Sequence, residues 1–420
     1  MMDRRTVLKI MQAAAVTGAA WPLLREKRAR AAAPAHRSRP RFYLQIIPSG
    51  GMDAIFTTDP KKAREVDNGI DVPFGSHKII EAHGVRLGPK FGALGRWVPH
   101  VAMVNAFHQN SANHVTGVAN ITRFKSLTTP GTPSLLELLG ARRDDEATGA
   151  INIGCVFDSA FSPMYLGQPG TFVFGNRPGL FEHLDAADPE DLVAVAKALQ
   201  RDAGSVQGPR ASAAEQRTAD NLNESASLFA GAAKSPKFKP VEWAHEVESA
   251  YHSGRDLQRA LWLFENKLSR CVTTRVAADD FDTHVTNSYQ ETLTDYLAFL
   301  LDKLFSELDK RVVDGKPLSQ QTVVIVGSEI GRFPRLNSAR GKDHFPQAPF
   351  IFYGPWFATG ATYGGTGRNM ATVPISMTTG RPQSGGHLLR VDDIGTTLLA
   401  LDGANPELYG YSGEHLRFLT

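Results

Sequence analysis

Acids and histidines in this chain gather in four short clusters, each beside an apolar run or a helix end. Gly50-Gly51-Met52-Asp53 follows Phe42-Tyr43-Leu44-Gln45-Ile46-Ile47. Asp279-Asp280-Phe281-Asp282-Thr283-His284 precedes a long amphipathic segment. Ser328-Glu329 follows Thr322-Val323-Val324-Ile325-Val326-Gly327, and Gly341-Lys342-Asp343-His344 precedes Ala348 to Tyr353. Carboxylates mixed with imidazoles are the donor set of a divalent cation, which also removes the repulsion between acids held in one cleft. The candidate ligands are Asp53, Asp282, His284, Glu329, Asp343 and His344. Ser111, three residues before His114, offers a hydroxyl nucleophile beside a base. Each residue also has a plainer role. Asp53 can cap the turn after Gly-Gly, and Asp282 can cap a helix. Glu329 can pair with Arg332 or Arg335, and Ser111 can cap a loop. Asp343 can orient the imidazole of His344 from behind a metal site.

Elements must carry these clusters to one place. Residues 42–47, 101–105, 322–326 and 349–353 read as strands. Glu291 to Val312 reads as a helix, because Leu293, Tyr296, Leu297, Leu300, Leu304, Phe305 and Leu308 share one face. The turn Asp314-Gly315-Lys316-Pro317 then leads into strand 322–326. Helix, short turn and buried strand is the grammar of an α/β, doubly wound, mainly parallel sheet with helices on both faces. Such sheets build ligand sites at the carboxyl ends of their strands. Asp188-Pro189-Glu190-Asp191 reads as a helix start. Trp243, Val247, Tyr251, Leu257, Leu261, Phe264 and Leu268 are spaced helically, so 185–275 reads as a mainly helical insertion.

Composition excludes several classes. The chain has 46 basic and 43 acidic residues, a net charge of +3. No basic stripe points to nucleic acid. Cys155 and Cys271 have no metal-type spacing. They read either as a disulfide or as two buried thiols. Residues 1–33 read as an export signal, leaving 34–420 as a single domain. Arg4-Arg5-Thr6-Val7-Leu8-Lys9 opens it, a mildly apolar stretch follows, and Ala29-Arg30-Ala31-Ala32-Ala33 closes it. The apolar stretch is shorter than the ~20 residues that a spanning helix needs. A periplasmic or secreted protein without a stable membrane span is expected, with the twin-arginine export machinery as a partner.

In this order the motifs resemble those of the exported domain of unknown function 1501 family, related to the sulfatase and alkaline phosphatase superfamily. The resemblance runs from the strand into Gly50-Gly51-Met52-Asp53, where that family has Gly-Gly-Asn-Asp. It continues through Phe281-Asp282-Thr283-His284, Ser328-Glu329-Ile330-Gly331-Arg332 and Gly341-Lys342-Asp343-His344, and ends at Val391 to Leu399. It implies an alkaline-phosphatase-like fold. It also implies that Asp53 binds one metal while Asp282 and His284, with Asp280 at the alternative spacing, bind another. Glu329 stands where the superfamily has Asp-His, so Ile330 removes an imidazole. His344 matches the last ligand. The resulting set looks oxygen-rich, which favours calcium, magnesium or manganese over zinc. The nucleophile position reads Asn113-His114-Val115 where the family has Ser-His-Phe, and Ser111 is the nearby substitute.

Two functions remain open at this level. One is a metal-dependent hydrolase of phosphate or sulfate esters, acting on a small ester or an envelope glycan. The other is a catalytically silent envelope protein that keeps the fold and one structural ion. Export is testable directly. Replacing Arg4 and Arg5 with Lys should leave the protein in the cytoplasm on fractionation, and unchanged export of that variant would refute the twin-arginine reading.

Overall fold

The computed structural model describes residues 38–126, 133–143, 150–157, 171–173, 187–208, 211–277 and 280–420. Residues 1–33, expected to be an export signal, and Asp279 lie outside the described residues. Two compact units form. One comprises residues up to 43, 129–241 and 259–273; the other comprises 44–128, 242–258 and 274–420. The strands named below are β1 (Phe42–Pro48), β2 (Val101–His108), β3 (Ile153–Phe157), β4 (Thr171–Val173), β5 (Ser269–Val276), β6 (Thr322–Gly327), β7 (Gln347–Tyr353) and β8 (Ala361–Gly364).

In the larger unit the strand order is β8-β2-β7-β6-β1. The four strands expected from the sequence share this sheet. Their apolar runs are buried along their length, as sandwiched strands require. The fold is α/β with a mixed, mostly parallel sheet. β8 runs parallel to β2, while β7 runs antiparallel to both β6 and β2. That reversal positions the site. Phe350 of β7 pairs with Gly327 at the end of β6, and Gln347 pairs with His108 at the end of β2. The residues just before β7 therefore meet the residues just after β6 and β2. Ser328, following β6, donates from its hydroxyl to the carbonyl of Pro48 at the end of β1, 2.7 Å away.

Helix α1 (His114–Arg123) follows β2, with the Asn113 side chain accepting from the Thr116 amide as its cap. Gly117 lets this helix sit against the β6 exit: a Cβ there would come 2.5 Å from the Glu329 carbonyl oxygen. The smaller unit stacks β5, β3 and β4 in parallel. It carries α2 (Leu135–Gly140), α3 (Pro189–Val206) and α4 (Ala213–Lys234). Asp188 is the N-cap of α3 and Pro189 its first residue, as the sequence predicts. Cys155 and Cys271 face one another in register on β3 and β5 as buried, unlinked thiols, and burial pushes the Cys155 thiol up.

The helical spacing of 241–268 is only partly realised. Helix α5 covers Glu248–Tyr251 and α6 covers Ser253–Glu265, whereas residues 241–245 form no helix. Strand β5 then occupies 269–276. The strongest helical pattern forms α7 (Tyr289–Lys310), whose apolar face is fully buried. The closing segment forms α8 (Val391–Leu401). Among the described residues no helix is long and apolar enough to cross a membrane.

Beyond β1 the backbone turns through Gly50 and Gly51, at φ of 110° and 118°. A Cβ on Gly51 would lie 2.5 Å from Arg332 Nε, so only glycine fits. The turn delivers Asp53 to a buried lysine. Lys342 Nζ, 0% exposed, lies 2.7 Å from Asp53 Oδ2 and 3.4 Å from Asp71 Oδ2. The other oxygen of Asp53 accepts from the Ile55 amide at 3.0 Å. Both charges are desolvated, so each depends on the other. Lys342→Met should destabilise the protein by about 3–5 kcal/mol in chemical denaturation. Adding Asp53→Leu should recover part of that loss, because the stranded carboxylate is then gone. A loss in the double variant equal to the sum of two single losses would refute the coupling.

Candidate metal centre

One carboxylate organises the site. Asp282, in the loop after β5, lies among three imidazoles that arrive on different segments. His114 opens α1, His284 stands two residues beyond Asp282, and His344 precedes β7. Their Nε2 atoms lie 3.3 Å from Asp282 Oδ2, and 3.1 and 3.4 Å from Asp282 Oδ1, respectively. The His284 and His344 Nε2 atoms are 2.8 Å apart. Donor atoms of His114, Asp282 and His344 all fall within 4.8 Å of one another.

Every opposite ring nitrogen is held by an oxygen. His114 Nδ1 lies 2.8 Å from Glu329 Oε1, His284 Nδ1 lies 3.2 Å from Asp343 Oδ1, and His344 Nδ1 lies 2.8 Å from the carbonyl of Ala112. A carbonyl or an ionised carboxylate only accepts, so the proton of each neutral ring resides on Nδ1. Each Nε2 then presents a lone pair. Two such lone pairs at 2.8 Å repel unless a proton or a cation lies between them. The buried Nε2 of His114 makes no well-formed hydrogen bond, although Asp282 Oδ2 lies 3.3 Å away. Each Nε2 lies within 3.4 Å of an oxygen of the one Asp282 carboxylate, and such a set of imidazoles and carboxylate fits a divalent ion.

The charges at the centre set the protonation of these groups. Burial pushes the Asp282 carboxyl up, but His114 and Arg332 outweigh it and hold it well below the usual range. Arg332 Nη2 donates to Asp282 Oδ1 at 2.6 Å and also to the carbonyl of Gly50. Asp282 and then Glu329 raise His114 to about 9, so without a cation this ring is protonated on both nitrogens, and an ion bound at Nε2 would have to displace that proton. Burial lowers His344, aided by the charges of His114 and Arg332, which keeps that ring neutral.

A further layer holds the ligands in place. Glu329, 1% exposed, accepts from the Gly50 amide at 2.8 Å, and its other oxygen lies 3.0 Å from the Ser328 hydroxyl oxygen. Asn337 Nδ2 donates to Asp343 Oδ1 at 3.0 Å and to the His284 carbonyl at 2.9 Å. Gln290, at the start of α7, donates to the carbonyls of Gly51 and Phe281, so it ties the β1 turn to the loop bearing Asp282.

Of the residues singled out from the sequence, the structure brings Asp282, His284, His344 and His114 to the centre. Glu329 and Asp343 stand behind imidazoles, and Asp53 is turned to Lys342 instead. Asp280 accepts from the hydroxyl of Tyr251. Ser111 Oγ accepts from the Asn113 amide at 3.0 Å, a loop-capping role, while both nitrogens of His114 face carboxylates. Sequence reasoning named His114 as a base rather than a fourth donor. It also passed over Arg332 as a holder of Asp282, over Lys342 and over Gln290. The only signal for Lys342 was its place inside the Gly-Lys-Asp-His motif.

No protein of curated function matches the chain in sequence. Among solved structures, the chain is similar to the PsFucS1 sulfatase from Pseudoalteromonas sp., with 12% identity, 100% of this chain and 76% of that chain covered, and a TM-score of 0.42. It is similar to the lipoteichoic acid synthase LtaP from Listeria monocytogenes, with 10% identity, coverage of 91% and 76%, and a TM-score of 0.42. A protein in the alkaline phosphatase superfamily from Vibrio parahaemolyticus is similar at 11% identity, coverage of 96% and 76%, and a TM-score of 0.38. The family model described as protein of unknown function (DUF1501) matches residues 174–415, more than half of the sequence, and the chain belongs to that family.

Proposed function

We propose that this protein is an exported, metal-dependent hydrolase of phosphate or sulfate esters, built on one divalent cation held by His114, Asp282, His284 and His344. The observation that carries the reading is the convergence of three Nε2 lone pairs on one carboxylate, each ring fixed from behind by an oxygen. Nitrogen-rich donors favour zinc over calcium or magnesium, which take oxygen ligands. This differs from the oxygen-rich set suggested by the sequence, because His114 joins the donors and Asp53 leaves them.

A cation at this position supplies Lewis acidity to an ester oxygen. The chain's own groups set up the rest. Glu329 and Asp343 hold His114 and His284 in orientation, and the Ala112 carbonyl does the same for His344. Arg332 braces Asp282 and adds positive charge where an anionic ester arrives. Lys342 neutralises Asp53, so the acid next to the site does not call for a second ion. Because the Ser111 hydroxyl is engaged by Asn113, the reading uses water as the attacking group: its oxygen bonds to phosphorus or sulfur, and the ester oxygen leaves as the alcohol. That same engagement of Ser111 favours the second reading, a catalytically silent envelope protein that retains the ion.

Metal content decides first. Protein purified without chelator should hold about one divalent ion per chain by mass spectrometry. Binding at free metal ~1,000 times Kd adds about 4 kcal/mol of stability, so a chelator should lower Tm by several degrees. His284→Ala with His344→Ala should abolish both the ion and the chelator effect. A metal-free parent whose Tm ignores the chelator would refute the site. Turnover of nitrophenyl phosphate or sulfate by the metal-loaded parent separates the hydrolase from the silent protein.

A further inference from the structure

We propose that Cys155 and Cys271 are a redox pair: a disulfide oxidant links them and staples β3 to β5 in the smaller unit, and a thiol reductant releases the bond. The two residues are register partners on neighbouring parallel strands, with Ile153 opposite Ser269 on one side and Val156 opposite Val272 on the other. Partners in register point to the same face of a sheet, because side chains alternate with a period of two along both strands. Neighbouring strands run about 4.7–4.9 Å apart, inside the roughly 4.4–6.8 Å between Cα atoms that a disulfide spans. The strands therefore hold the two sulfurs side by side without any change of register.

Both cysteines are 0% exposed. Burial, and then the nearby charge of Cys271, push the Cys155 thiol up. The thiolate is the attacking species in disulfide exchange, so the folded pair reacts slowly and through opening of the strands. The disulfide itself carries no charge to desolvate, so the same burial does not oppose the bond. The exchange balances with an oxidant of the glutathione disulfide type. One cysteine thiolate attacks the oxidant, forms a mixed disulfide and expels one small thiolate. The second cysteine, deprotonated in turn, attacks the protein sulfur of that bond and expels the other. The chain gives up two electrons and two protons, and the oxidant becomes two thiols. The bond closes a loop over residues 156–270, which carry α3, α4 and α6. A long loop restricts the unfolded chain most. On the reading of the chain as exported, it passes from a reducing to an oxidising compartment, and the pair converts that passage into added stability of the smaller unit.

Equilibration of the whole chain in buffers of graded glutathione to glutathione disulfide ratio tests this. Equilibrium is approached from reduced protein and from protein oxidised while unfolded, in buffer and in urea sufficient to unfold it. Alkylation of free thiols and mass spectrometry then give the fraction oxidised. The native chain should hold the bond with an equilibrium constant at least about tenfold larger than the unfolded chain, because the strands already bring the sulfurs together. By linkage, the oxidised form should melt several degrees above the reduced form. Peptide mapping should find Cys155 joined to Cys271. A native constant no larger than the unfolded one, or an oxidised form that melts below the reduced one, would overturn the pair. So would a glutathione adduct or a disulfide-linked dimer as the native end product. Cys155→Ala should form no internal bond and melt at one temperature in both buffers, and a shift in that variant as large as in the parent would also overturn the pair.

Discussion

The need to balance the Asp282 carboxylate governs how the larger unit is assembled. Its two oxygens are approached by a guanidinium and three imidazoles from four separate segments. None of those segments can move without leaving a charge or a lone pair unmatched in a half-buried position. The geometry around it follows from that need. Gly51 has no Cβ because Arg332 passes directly beneath it on the way to Asp282. Gly117 has none because α1 must approach Glu329 closely enough for His114 to reach both carboxylates. The reversed direction of β7 places His344 on the edge where β6 and β2 end.

A second buried charge pair limits what the site can hold. Asp53 stands just past the end of β1, where an acid could serve a cation, yet its carboxylate already faces a fully buried ammonium. An ion introduced there would have to displace Lys342 from two carboxylates and leave it buried without compensation. The same residue thus holds the β1 turn in place and leaves the imidazole cluster as the candidate cation site. One ion bound there would add positive charge at the sheet edge beside an arginine already paired with Asp282. That suits an anionic ligand.

What could be read from the sequence was what local pattern encodes. Continuous apolar runs located β1, β2, β6 and β7, and the spacing from Leu293 to Leu308 located α7. The motif order placed Asp282, His284 and His344 together, because residues just outside strand ends gather on one edge of an α/β sheet. Pattern could not give the direction of β7, since an apolar run reads the same in a parallel and an antiparallel strand. That direction decides which residues neighbour His344. Nor could pattern separate donors from supports. Asp53, Glu329 and Asp343 have the same chemistry as Asp282, and only burial and orientation assign one to a lysine and two to imidazole Nδ1 atoms. Helical spacing before α6 misled: residues 241–245 form no helix, although the spacing of Trp243 and Val247 suits one.

The central claim is that three imidazoles and one carboxylate share one ion, and X-ray absorption at the metal edge tests it most directly. Extended fine structure of the zinc-loaded protein should show a shell of nitrogen and oxygen at about 2.0–2.1 Å, with outer scattering from three imidazole rings. The imidazole contribution should drop when His114 is replaced by Ala. A shell of oxygens alone at about 2.3–2.6 Å, without ring scattering, would contradict the account.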